Sequence, residues 1–251
     1  AIGMLLFTTR PVGDAMATTI WGTSSSWTLT ALPLFVWMGE ILFRTKLSEN
    51  LFKGLSPWLS KLPGGLIHVN VVGCALFAAI SGSSAATVAT VGKMSIPELR
   101  KRRYPEKLLL GSLAGSGTLG LLIPPSIILI IYGVTIEDSI AKLFMAGILP
   151  GIMLAVMFML YVIFWSILNK KLMPKSTKNF SFVEKVQGSK QLLPVIFLIT
   201  AVIGSIYTGI ATATEAASLG VVGALILSFF QGTLSKKTFN LSLLGATKTS
   251  C

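Results

Sequence analysis

Hydrophobic types make up 53% of this 251-residue chain and charged types only 12%, whereas a soluble domain carries about 25% charged residues. That is too little charge to coat a water-facing surface, so the composition excludes an ordinary soluble enzyme and points to a bilayer. The formal net charge of +12 does not restore a nucleic-acid footprint, because nineteen of the 21 bases sit in four segments that alternate along the chain with base-poor ones, which reads as membrane orientation.

The chain opens on Ala1 to Thr8, which reads as the tail of an apolar segment that begins upstream. An internal piece of a longer protein is expected, with no recognisable signal peptide. Leu32 to Leu42 is apolar except for Glu40, four residues before Arg44. An intramembrane carboxylate is a functional candidate by default, but this one lies close to a charged boundary, and a structural or gating role paired with Arg44 is expected over ion ligation. Arg44 to Lys61 then holds four bases.

Residues 62–92 contain no Asp, Glu, Lys or Arg, yet Ser81-Gly82-Ser83-Ser84 interrupts them. Lipid offers no partners for freed backbone groups, so such an interruption must be buried in protein or line a wet cavity. Lys93 to Lys107 brings six more bases. Loops rich in Lys and Arg face the cytoplasm, so Gly65 to Gly92 must enter and leave on one face. Its length as helix, about 42 Å, is too short for two crossings of a core about 30 Å thick. The segment is therefore expected to be a re-entrant hairpin with Ser81 to Ser84 at its tip; the alternative is a single tilted span.

Leu108 to Tyr132 should cross once in two pieces. Pro124 and Pro125 remove two backbone donors, and Gly111, Gly115, Gly117 and Gly120 let the backbone bend or approach a neighbour. Released carbonyls and the hydroxyls of Ser116, Thr118 and Ser126 are hard oxygen ligands that suit a small alkali cation without formal charge. The other reading of this cluster is close helix packing through small residues. Two broken elements in one apolar chain point to the midplane site of a transporter.

Gly133 to Lys142 and Ser205 to Glu215 are poor in bases and should face outward. Leu143 to Leu168, Gln191 to Thr214 and Ala216 to Ser235 are uncharged and long enough to span. Lys170 to Lys190 and Lys236 to Lys248 are basic and should face inward. Glu215 within Thr212-Ala213-Thr214-Glu215 fits a helix N-terminus. Cys74 and Cys251 lie too far apart in sequence to suggest a framework, and His68 has no companion at ligand spacing, so no metal centre is expected. Trp21, Trp27, Trp37, Trp58 and Trp165 suggest an aromatic belt. The chain divides into residues 1–61 (scaffold-like), 62–133 (hairpin and broken helix), 134–190 (a long span and a basic loop) and 191–251 (the start of a second unit).

Five strings, LPLFVWMGEIL (Leu32 to Leu42), LFAAISGSSAATVATVG (Leu76 to Gly92), GTLGLLIPPSIILIIYG (Gly117 to Gly133), SIAKLFMAGILPG (Ser139 to Gly151) and TATEAASLG (Thr212 to Gly220), together resemble the large membrane subunit of tripartite ATP-independent periplasmic (TRAP) transporters. The resemblance implies an all-α polytopic fold of the ion transporter superfamily, working as an elevator and driven by sodium, with a second, inverted repeat left incomplete here. It implies no cofactor beyond the coupling ion. Its implied partners are a small membrane subunit, a periplasmic substrate-binding protein and an organic acid of the C4-dicarboxylate or sialic-acid type, in the bacterial inner membrane.

By the same resemblance Ser81, Gly82, Ser83, Ser84, Gly117 and Thr118 would bind the ion, and Ser84, Thr87, Ser116, Pro124, Pro125 and Ser126 the substrate. The alternatives are a binding-protein-independent dicarboxylate or citrate symporter of the same superfamily and a structural membrane subunit. An intramembrane enzyme is disfavoured by scattered acids and a single His.

Overall fold

A computed structural model describes residues 11–45, 47–174, 181–190 and 192–250. The expectations for Ala1 to Thr8, Lys46, Lys175, Lys178, Gln191 and Cys251 lie outside the described residues. Twelve α-helices and no strand occur among them: α1 (Val12–Ser24), α2 (Ala31–Phe43), α3 (Leu47–Leu59), α4 (Ile67–Ser81), α5 (Ser84–Lys101), α6 (Glu106–Gly117), α7 (Ile127–Thr135), α8 (Ile140–Leu168), α9 (Phe182–Lys190), α10 (Leu193–Tyr207), α11 (Ala213–Phe230) and α12 (Lys236–Ser250). The protein is an all-α membrane protein.

Two helices, α8 and α11, are long and apolar enough to cross a membrane unaided. Helix α8 turns Leu149, Met153, Leu160, Phe164 and Leu168 outward, a surface stable only against hydrocarbon. The third expected span is shorter than the uncharged run from Gln191 to Thr214. Its helix, Leu193–Tyr207, is 15 residues, about 22 Å long. The rest of the run is used in a turn at Gly209, which takes φ +72°, and in the cap of α11. There the Thr212 Oγ1 accepts from the Glu215 N–H at 3.3 Å, and Glu215 Oε2 accepts from the Thr212 N–H at 2.8 Å. This capping box is the role expected of Glu215.

The basic segments are not the open loops that their charge suggests. Arg44 to Lys61 contains α3, which buries Leu51 and Leu55 one turn apart. Lys93 to Lys107 is largely the continuation of α5, and Lys236 to Lys248 lies within α12. Amphipathic spacing decides these helices, and charge per segment does not report it.

Three of these segments meet at one end of the molecule. Trp58 Nε1 donates to Ser189 Oγ at 2.8 Å, and Lys185 Nζ sits 5.3 Å from the Trp58 ring, joining α3 to α9. Tyr104, after α5, accepts at its hydroxyl from the Leu66 N–H at 3.1 Å. The base-poor segments gather elsewhere, where Trp27, Asp138, Ser139, Thr212 and Glu215 surround one cleft. The 29 residues of α8, about 43 Å of helix, run from Ile140 in that cleft to Ser166 beside Lys61. The basic and base-poor ends are therefore opposite, and the positive-inside rule makes the basic end cytoplasmic.

The Tyr104 to Leu66 bond also ties the far end of α5 to the beginning of α4. The segment therefore enters and leaves at one end, as a hairpin and not as a tilted span. Its 15-residue first arm carries the tip about 22 Å inward.

Among the tryptophans, Trp21 and Trp27 are well exposed, but Trp37 is not part of a belt. It packs edge-on against Phe239 and donates from Nε1 to Ser242 Oγ at 3.2 Å, so it is a contact between α2 and α12. The helices share one continuous apolar core, within which two sets pack most closely. One joins α2 to α11 and α12; the other joins the hairpin arms α4 and α5 to α6, with α8 alongside.

Candidate functional site: the hairpin tip against the broken helix

Helix α4 ends because Gly82 adopts φ +59°, the left-handed conformation that glycine takes without strain. Ser83 is extended, and its Oγ accepts from the Ala86 N–H at 3.4 Å to cap α5. Ser81 Oγ lies 3.0 Å from Thr87 Oγ1, and Thr87 Oγ1 donates to the Ser83 carbonyl at 2.7 Å. Ser81, Ser83 and Thr87 thus fix the tip by bonding one another.

Opposite the tip, α6 tightens into a 3-10 turn over Thr118–Leu121 and the chain then leaves the helix until Ile127. Pro124 and Pro125, joined by a cis peptide bond, occupy that gap. Ser126 Oγ donates to the Leu121 carbonyl at 2.8 Å, partnering one of the acceptors that the break leaves. The Ile127 N–H donates to the Gly82 carbonyl at 3.3 Å, so the start of α7 holds the tip directly.

The glycines of the break serve as contact surfaces. A Cβ on Gly120 would lie 2.9 Å from Ser84 N and 3.0 Å from Ser83 C, and one on Gly117 would collide with Val88 Cγ2. A Cβ on Gly82 would lie 2.6 Å from the Pro125 carbonyl oxygen. At Gly120 and Gly82 backbone meets backbone, the close approach that only glycine permits, and at Gly117 the neighbour is the Val88 side chain.

Within this frame Ser84 is the unusual residue. Its Oγ is buried and has no hydrogen-bond partner among the described residues, and its backbone faces Gly120. A buried hydroxyl without a partner is costly and is the kind of oxygen that a ligand would complete.

The expected site residues divide accordingly. Gly82, Ser83, Ser84, Gly117, Pro125 and the backbone around Gly120 meet at one junction. Ser81 lies on the side of the tip that faces α2, where a Cβ on Gly39 would come within 2.8 Å of Ser81 Cα, and Thr87 is fully buried within the hairpin against Ser81 and Ser83. Thr118 is exposed and its Oγ1 donates to the Gly115 carbonyl at 2.7 Å. Ser116 does not reach the tip: its Oγ donates to the Ser112 carbonyl at 2.6 Å and approaches the Asn70 carbonyl at 3.5 Å, well down the first arm.

Glu40 pairs with Arg44 at 3.0 Å, as its spacing suggests. It also lines a cavity of about 250 Å³ with Ser81, Ser83 and Thr249, so it stands nearer the tip than four residues from a charged boundary would indicate. Two residues on this framework escape sequence reasoning. Gly39 seats the tip on α2, and Asn70 is fully buried, donating to Ser112 Oγ at 3.0 Å while its Oδ1 has no partner among the described residues. A lone amide in an uncharged run was the available signal for Asn70.

A family profile described as tripartite ATP-independent periplasmic transporter, DctM component, matches residues 1–251. The chain is 34% identical over 230 residues to a C4-dicarboxylate TRAP transporter large permease of Pseudomonas aeruginosa, covering 92% of this chain and 53% of that protein. It is 32% identical over 245 residues to a sialic acid TRAP transporter large permease of Vibrio cholerae, covering 96% and 55%. It is 35% identical over 218 residues to an isethionate TRAP transporter permease of Oleidesulfovibrio alaskensis, covering 86% and 34%. The chain spans about half the length, or less, of these relatives.

Proposed function

The chain belongs to the DctM family of tripartite ATP-independent periplasmic transporters, and on that premise we propose that it forms part of a sodium-driven permease importing an organic acid across the bacterial inner membrane. It is a transporter component and not an enzyme, as its relatives are permeases. C4-dicarboxylates, sialic acid and isethionate, the solutes in the relatives' names, are organic anions. A small membrane subunit and a periplasmic substrate-binding protein complete the assembly in this reading.

The observation that carries the proposal is the unpartnered Ser84 Oγ, held where the hairpin tip meets Gly117 and Gly120. Sodium is a hard cation that takes neutral oxygens, and a low dielectric strengthens each ion–dipole contact. The Ser84 hydroxyl, with Ser83 and the backbone of Gly117 and Thr118, supplies such oxygens. An anion bound beside the ion would be drawn to it, so sodium and substrate tighten each other by the same coupling, typically about 5- to 150-fold. The hairpin, α6 and α7 would move as a block against α2, α11 and α12, with Gly39 and Ser81 at the seam.

Uptake by the complete transporter with its binding protein tests this. Ser84→Ala and Ser83→Ala should each raise the sodium concentration for half-maximal uptake, whereas Thr200→Ala, whose hydroxyl bonds only its own helix, should not. Normal sodium dependence in both site variants at normal abundance places the ion elsewhere.

A further inference from the structure

At the cytoplasmic end, a cleft of about 890 Å³ opens between the start of the hairpin and the end of α8. Among its described lining residues are Lys61, Lys170, Ser60, Tyr104 and Ser166, and no Asp or Glu. Neither lysine forms an ion pair among the described residues. Ser166 is 4% exposed, and its Oγ is buried without a partner among the described residues. It sits on the cleft wall facing Gly64, whose Cβ, were there one, would lie 3.1 Å from that oxygen. Tyr104 accepts from the Leu66 N–H at its hydroxyl, so the phenolic hydrogen is left to donate. Burial pushes the phenol's pKa above its ordinary value, which keeps that hydrogen in place. Two cations and two neutral donors converge on one space without a competing carboxylate, and that is the chemistry of an anion site.

We propose that this cleft binds the headgroup of an anionic phospholipid from the cytoplasmic leaflet. A phosphate group matches the donors, but the volume lies in the range of whole small-molecule sites, far beyond one inorganic ion. The wall that continues from the cleft decides between the sources. Ile167 lines the cleft, and Phe164 and Leu160, one and two turns farther along α8, are 64% and 57% exposed, forming an apolar track toward the bilayer interior. Acyl chains have a surface to follow there, while a soluble anion would leave it bare. Basic pockets between transmembrane helices on the cytoplasmic side are suited to such headgroups. Occupancy would bridge α3, the base of the hairpin and α8. The proposal requires membrane insertion only, so a failed sodium test would leave it untouched.

The complete permease in neutral detergent, titrated with phosphatidylglycerol or phosphatidylcholine and followed by native mass spectrometry, provides the test. Phosphatidylglycerol should be retained at concentrations where phosphatidylcholine is not, and excess inorganic phosphate should not displace it. Lys61→Gln with Lys170→Gln should weaken retention by about 25-fold, about five-fold per lysine, which converts to ~1 kcal/mol each. Lys61→Arg with Lys170→Arg should keep it, separating charge from folding. Lys236→Gln with Lys237→Gln removes equal charge from α12 and should change nothing. Undiminished retention in the first double variant overturns the site. An equal loss in the α12 control reduces it to bulk attraction, and full displacement by phosphate replaces the lipid with a soluble anion.

Discussion

Replacing Gly120 with Ala should loosen the hairpin tip, and its cost can be worked from the contact distances. The new Cβ would meet Ser84 N at 2.9 Å, Ser83 C at 3.0 Å and Ser84 Cα at 3.1 Å. All three are backbone atoms, so no rotamer change relieves them; tip and break must separate by several tenths of an ångström. Overpacking of this kind costs about 1–3 kcal/mol, and the lower entropy of the unfolded alanine chain returns about 0.4–1 kcal/mol. A net penalty of ~1–2 kcal/mol raises the open fraction about 5- to 30-fold. Gly111→Ala is the matched control, because nothing lies within 4 Å of its Cβ and alanine suits the interior of α6. The assay is the rate at which a small maleimide labels Ser84→Cys in the complete permease with every native cysteine except Cys74 replaced, fully buried Cys74 being the thiol that should stay unlabelled. Gly120→Ala should label about 5- to 30-fold faster than the parent, and Gly111→Ala no faster. Equal rates in the two variants would show that tip and break do not touch.

Two further outcomes follow from the same geometry. Single cysteines at Lys53 and Arg102 should resist an impermeant thiol reagent applied from the periplasmic side while one at Thr208 reacts; labelling at position 53 would turn the hairpin back into a simple span. Glu40→Gln keeps the shape of the side chain but loses the charge facing Arg44 at 3.0 Å, a half-buried pair worth ~1 kcal/mol at most. Stability or conformational exchange should shift while sodium affinity stays within a few-fold, and loss of sodium binding in a well-folded Glu40→Gln permease would make Glu40 a ligand.

What could be read from the sequence was whatever a one-dimensional pattern reports. The tip at Ser81 to Ser84 was visible because glycine and serine interrupt an uncharged run, and the break at Pro124-Pro125 because proline cannot continue a helix. The separation of base-rich from base-poor ends followed from counting bases. What stayed hidden depends on which residues face each other. Nothing in the spacing of Ser116 says that its hydroxyl turns toward Asn70 rather than the tip, and nothing in Gly39 says that it lies under Ser81. Trp37 looked like a belt residue because tryptophan favours interfaces, whereas a partner 205 positions away holds its indole N–H.

The distribution of hydrogen bonds at the tip suggests how one short segment can be both rigid and responsive. Ser81, Ser83 and Thr87 are partnered within the hairpin, so the turn keeps its shape without a ligand. The contact between tip and break rests on one backbone bond, from Ile127 to Gly82, and on glycine surfaces that pack closely but bond little. Ser84 Oγ, at that contact, is left without a partner. A ligand oxygen network there would strengthen the joint between two elements that are each already formed. Occupancy can then alter how firmly hairpin and broken helix are coupled without refolding either, which is what a reversible ion-dependent step requires.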